Sequence, residues 1–70
     1  MAEKNRALKI LRIRQVQDRT GLSRSTIYDR LDPRSPRYDC NFPKPMKIGL
    51  SAVGWPETSI NEWIERCFAA

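Results

Sequence analysis

Thr20-Gly21-Leu22-Ser23-Arg24-Ser25-Thr26-Ile27-Tyr28 decides how this chain folds. A glycine takes the positive φ that a tight turn needs at no steric cost, so Gly21 is placed at such a turn. Leu22 can bury beneath it. Ser23 is suited to N-cap the following helix, its hydroxyl accepting from a free amide of the first turn. Beyond the cap, Ile27 and Leu31 lie four residues apart on one helix face, and Arg24, Ser25 and Tyr28 project from the other. A short helix, a sharp turn and a second helix with a polar, basic outer face make a helix-turn-helix, which offers its second helix to a DNA groove.

The flanking sequence extends this unit in both directions. Residues 1–9 are polar and charged and read as a flexible N-terminal arm, leaving 10–70 as one domain. Leu8 to Ile13 alternates partly and suits a short extended segment. The first helix is expected from about Arg14 to Arg19, with Ile13 and Val16 facing inward, and the helix-turn-helix spans about 14–31. Residues 32–45 form a loop, because Asp-Pro, Ser-Pro and Pro-Lys-Pro steps oppose regular structure. Phe42 is its core anchor. Two strands are expected within 46–55, joined by a hairpin at Leu50-Ser51-Ala52 with Gly49 free to take positive φ and with Trp55 and Ile48 turned to the core.

The last segment has the clearest period. Ile60, Trp63, Ile64, Cys67 and Phe68 recur at helical spacing, predicting a helix over about 58–68 with all five on its buried stripe. Thr58 or Ser59 is its expected N-cap, and Ser59-x-x-Glu62 matches a capping box. The fold class is therefore mainly α with a small β-hairpin: a winged helix-turn-helix.

Charge and length narrow the function. Seventy residues with a net charge of +5 make a core of about a dozen large side chains and no deep cleft. Residues 1–56 hold twelve Lys and Arg against five Asp and Glu, whereas 57–70 hold Arg66 against Glu57, Glu62 and Glu65. A basic body favours a polyanionic partner, because neutralising phosphates releases their condensed counterions. The sequence contains no His, no Gly-rich phosphate loop and no clustered ligands for a metal. Neither a catalytic site nor a cofactor is expected. With two unclustered cysteines and no long apolar run, a reducing cytoplasm is the expected compartment and no membrane partner is expected. Cys67 reads as a small core residue and Cys40 as a free, partly exposed thiol.

Several blocks in register resemble the AlpA family of phage and prophage regulators. They are Leu11-Arg12-Ile13-Arg14-Gln15-Val16, the turn and helix at 20–28, Phe42-Pro43-Lys44-Pro45, Ala52-Val53-Gly54-Trp55, and Glu57 to Ile64. The resemblance covers residues 11–66. It implies a domain related to MerR-like and excisionase-like DNA-binding modules, found in small bacterial proteins of prophages and integrative islands. Some members activate or repress transcription, often of an integrase gene; others act as excision factors at attachment sites. Two departures stand out. The stretch Asp29–Asn41 is longer than in many members, and Ser51 stands near the wing tip where many place a basic residue.

Site residues follow from the motif. Arg24 is positioned to reach guanine or grip a phosphate, Tyr28 to bond a phosphate oxygen, and Ser25 to allow close approach. Ser23 serves mainly as a cap and can also touch DNA. Arg14 and Gln15, at the start of the first helix, can meet the backbone that this helix crosses. Lys44 and Lys47 flank the first wing strand, and Arg34 and Arg37 in the insert can track phosphate. For each, ordinary solvation is the competing account. Trp55 and Trp63, candidate base-stacking groups in an RNA-binding reading, fit core packing better.

The expected partner is duplex DNA, the protein being nucleoid-associated when bound, and monomeric or weakly self-associating on repeated sites. The alternative is a protein-interaction adaptor docking on integrase or RNA polymerase through the acidic face of the C-terminal helix.

Overall fold

The computed structural model describes residues 9–69. Its elements in chain order are β1 (Ile10–Leu11), α1 (Ile13–Thr20), α2 (Arg24–Leu31), β2 (Met46–Lys47), β3 (Val53–Pro56) and α3 (Glu57–Ala69). The expected N-terminal arm falls almost wholly outside the described residues.

The α1–α2 turn forms as its residues dictate. Gly21 closes α1 with φ of 74°, its N–H donating to Gln17 O at 2.8 Å. The Thr20 hydroxyl donates to Val16 O at 2.7 Å and accepts from Leu22 N–H at 3.2 Å, so one side chain ties the last helical turn to the chain leaving it. Ser23 then caps α2, its Oγ accepting from Thr26 N–H at 3.2 Å.

The wing is larger than a hairpin. β3 lies between β1 and β2 in a three-stranded antiparallel sheet, with Leu11 opposite Trp55 and Met46 opposite Gly54. The partly alternating segment before α1 supplies the third strand, a pairing between residues some 45 positions apart. The β2–β3 connection also differs from expectation. Ile48 N–H donates to Ala52 O at 3.0 Å and closes a five-residue loop. Such a loop does not demand the positive φ of a two-residue turn. Among the described residues only Gly21 has positive φ, so Gly49 does not use that freedom. Ile48 is 38% exposed rather than turned to the core.

One side chain from each of five elements meets in the core: Leu11, Val16, Ile27, Trp55 and Ile60, with Phe42 entering from the long loop. Each large aliphatic group so buried contributes about 1.5–3 kcal/mol. Ile13, Leu22, Leu31, Val53, Trp63 and Ile64 pack around them. Trp55 is fully buried, and its indole N–H donates to Pro43 O at 3.0 Å, which satisfies its polar edge.

α3 departs from its expected outline at both ends. It begins at Glu57, directly from β3, so neither Thr58 nor Ser59 is its cap. Glu57 N–H donates instead to Lys9 O at 2.8 Å, and the Glu57 carboxylate suits the positive end of the helix dipole. At the other end the helix outruns the core. Ile60 is buried and Trp63 and Ile64 half-buried, but Cys67 is exposed and Phe68 is 86% exposed. The apolar spacing continues where no described element remains to cover it.

The long loop is ordered by its own polar side chains. Asp32 Oδ1, Ser35 Oγ and Asp39 Oδ1 accept from the N–H groups of Arg34, Arg37 and Asn41, each two residues on, at 2.9–3.1 Å. Backbone bonds from Ser35 N–H to Asp32 O, Tyr38 N–H to Ser35 O and Phe42 N–H to Asp39 O complete three successive turns. These turns carry Phe42 into the core. The sum is a winged helix-turn-helix.

Candidate nucleic-acid interface

α2 has the two faces its sequence requires. Ile27 is fully buried, Thr26 and Leu31 are partly covered, and Arg24, Ser25 and Tyr28 are exposed. The Arg24 guanidinium carbon lies 5.9 Å from the centroid of the Tyr28 ring. That cation–π contact holds the long arginine along the helix rather than free in solvent. An arginine so restrained beside a tyrosine hydroxyl presents several donors on one helical face, which matches the acceptors of a DNA major groove and its phosphates. Ser23 is engaged with Thr26 twice, through its amide and through a hydroxyl pair at 2.9 Å. Its role in the structure is that of a cap.

The first helix contributes less than its sequence offers. Gln15 Oε1 accepts from Arg12 N–H at 2.8 Å and so finishes the N-terminus of α1; its amide nitrogen remains available. Arg14 is exposed and makes no ion pair among the described residues.

Ion pairing divides the cations into two sets. Arg19 bridges to α3 through Glu57 and donates to Asn61 Oδ1 at 2.8 Å. Arg30 faces Asp39 at 3.8 Å, and Arg37 faces Asp29 at 3.5 Å. Arg19 and Arg30 serve largely within the fold, whereas the Arg37 pair lies open to solvent. Arg37 is still exposed, but Asp29 offsets its charge and reduces what it can offer a phosphate. Lys9, Arg12, Arg14, Arg24, Arg34, Lys44, Lys47 and Arg66 are exposed and have no carboxylate partner among the described residues. Arg34, like Arg37, belongs to the insert and is expected to be able to track phosphate, whereas the motif assigns Arg12 no contact. For both the sequence signal is position, Arg12 just before α1 and Arg34 inside the turn opened by Asp32.

Lys44 and Lys47 sit at the foot of the wing. Lys47 lies on β2, an outer strand of the sheet. A lysine there also guards an open strand edge against pairing with another chain.

Both indoles are taken up in packing. Trp63 is half-buried, meets Phe42 edge to face at 4.9 Å and donates from Nε1 to Asp39 Oδ2 at 3.2 Å. With Trp55 fully buried, neither offers the open ring face that base stacking requires. Among the described residues no three His, Cys, Asp or Glu groups gather where a metal ion could be held. No described helix is long and apolar enough to cross a membrane.

A capped second helix with a polar outer face, followed by an antiparallel wing, defines the winged helix-turn-helix class. Within that class, residues 9–68 match the family described as prophage CP4-57 regulatory protein (AlpA). The chain is also 52% identical over 62 residues to a protein of Escherichia coli (strain K12) named DNA-binding transcriptional activator AlpA; the match covers 87% of this chain and 89% of the relative. The chain belongs to the AlpA family. No solved structure matches it.

Proposed function

We propose that this chain is a sequence-specific duplex-DNA-binding regulator of a prophage or integrative element. It acts on transcription, of integrase or related genes, or as an excision factor at attachment sites. The carrying observation is the outer face of α2, where Arg24, Ser25 and Tyr28 stand exposed opposite buried Ile27. The relative's name, a DNA-binding transcriptional activator, supports the same reading at 52% identity. In this reading α2 enters the major groove, Arg14, Gln15 and the Ser23 hydroxyl meet backbone, and Lys44 and Lys47 add phosphate contacts from the wing, with Arg37 a weaker contributor beside Asp29. The mechanism is occupancy or bending, without covalent chemistry and without a cofactor. Its setting is the bacterial cytoplasm, with the protein nucleoid-associated when bound. A domain this small makes few contacts, so repeated sites or weak self-association would supply the remaining affinity.

The experiment is binding of the purified protein to DNA from its own upstream region and from the flanking attachment site. Unrelated duplex serves as control, at about 150 mM salt to suppress non-specific phosphate binding. Selective binding that Arg24→Ala removes supports the reading, and the preferred fragment indicates promoter or attachment-site work. Equal binding to every duplex, or none, overturns it for those sites.

A second reading rests on the free end of α3, where Glu62, Glu65 and Phe68 are exposed together. There the chain is an adaptor docking on integrase or RNA polymerase. Charge reversal at Glu62 and Glu65 then abolishes docking and leaves DNA affinity nearly unchanged.

A further inference from the structure

Leu50 is completely exposed, the highest value among the large hydrophobic side chains described. Single exposed leucines are ordinary on protein surfaces, so its setting matters more than its exposure. It lies at the middle of the loop that Ile48 N–H closes on Ala52 O at 3.0 Å, which makes it the apex of the wing. Its neighbours are Gly49, Ser51 and Ala52, all small. A β-carbon built on Gly49 would lie 3.6 Å from that of Ala52, so the two arms of the loop run in close contact. The tip is thus a narrow, uncharged ridge crowned by one leucine. The stem behind it is fixed by the Trp55 N–H bond to Pro43 O and carries exposed Lys44 and Lys47.

We propose that Leu50 is an apolar wedge that enters the minor groove of duplex DNA and partly unstacks one base step, with Lys44 and Lys47 on the flanking phosphates. The proposal rests on the DNA-binding reading above and adds to it the residue that deforms the duplex. A minor groove about 6 Å wide admits a narrow tip. Leucine is among the side chains that open base steps from that side, kinking the duplex by about 20–90°. The basic stem favours this occupant over a second copy of the chain, whose own wing would bring like charge. The exposed apolar groups beside it, Ile48 and Met46, are too few to bury the roughly 1,000 Å² that a stable protein interface needs.

The test begins by selecting duplexes from a random-sequence pool with the full-length protein. On the enriched duplex, affinity, bend angle by circular-permutation electrophoresis and 2-aminopurine fluorescence at each step are measured for wild type, Leu50→Met and Leu50→Ala. The expected result is a bent duplex with one brightened step. Leu50→Met should retain both, while Leu50→Ala loses both and about tenfold in affinity, the order expected for one buried aliphatic group. Thermal stability should not change, since Leu50 packs on nothing. Wild-type bending and affinity in Leu50→Ala overturn the wedge and leave the DNA-binding reading intact. Loss of self-association with the bend retained also overturns it, and assigns the tip to a second copy. If no duplex is enriched, the DNA-binding reading fails and the wedge fails with it.

Discussion

The indole N–H of Trp63 on α3 donates to Oδ2 of Asp39 in the long loop across 3.2 Å. The same carboxylate faces the Arg30 guanidinium at 3.8 Å, and Arg30 in turn lies 5.7 Å from the centroid of the Trp63 ring. Asp39 N–H donates back to Arg30 O at 2.9 Å. One loop residue therefore joins the end of the second helix to the last helix, and the insert acts as a strap across them.

Removing that carboxylate should loosen the strap. Asp39→Ala leaves the Trp63 N–H and the Arg30 guanidinium short of a partner, and Arg30 Nε is already buried without one. A loss of about 1–3 kcal/mol is expected, read by urea unfolding. Cleavage at Arg34 or Arg37 by trypsin under native conditions should rise in parallel. Unchanged stability and unchanged cleavage would show that the loop holds itself through its own turns.

The α2 cap supplies an independent check. Ser23→Ala removes the acceptor of Thr26 N–H and should cost about 1 kcal/mol, while Ser23→Asp should retain most of the stability. Denaturant midpoints of the two variants decide this.

Gly21 and Gly54 should respond to alanine for different reasons. At Gly21 no atom lies within 4 Å of the added β-carbon, so the cost is the positive φ alone, about 1–2 kcal/mol; Gly21→Asn should be milder. At Gly54 the added carbon would fall 2.3 Å from Ile10 Cγ2 and 3.2 Å from Leu11 O. The isoleucine can swing away, but the carbonyl belongs to the β1 backbone, so Gly54→Ala should disturb the β1–β3 pairing. Amide exchange at Leu11, Trp55 and Glu57, whose N–H groups face the β1–β3 pairing, should accelerate in Gly54→Ala and not in Gly21→Ala.

The outer face of α2 should separate binding from folding. Arg24→Ala should leave the melting temperature within error, because Arg24 is exposed and its contact with Tyr28 is a surface one. It should reduce discrimination between the selected duplex and an unrelated one by about 1–3 kcal/mol. Tyr28→Phe should weaken both complexes alike, as expected for a phosphate contact.

Both cysteines are exposed. Ellman's reagent should therefore titrate two thiols in the folded protein without denaturant. Reaction of only one, mapped to Cys40 by mass spectrometry of the labelled peptides, would place Cys67 in a covered position and argue for a partner on the end of α3.

What the chain determined by itself is short in range. Gly21 ends α1, Ser23 caps α2 three residues before its partner, and Ile27 with Leu31 selects the buried face. Each outcome depends on neighbours within one or two turns, where steric limits and capping chemistry leave few choices. Arg24, Ser25 and Tyr28 were legible as an exposed set for the same reason. The tertiary structure decided the rest through pairings that no local pattern encodes. Ile10–Leu11 became a strand because β3 offered an open edge, and α3 began at Glu57 because Lys9 O accepted its N–H. Arg19 reached Glu57 and Asn61 across 38 and 42 residues, and Asp39 met Trp63 across 24. Those contacts set which arginines remain available for phosphate. Cys67 and Phe68 show the converse: helical spacing gave them the apolar face, but burial needs an opposing element, and the described core ends before they reach it.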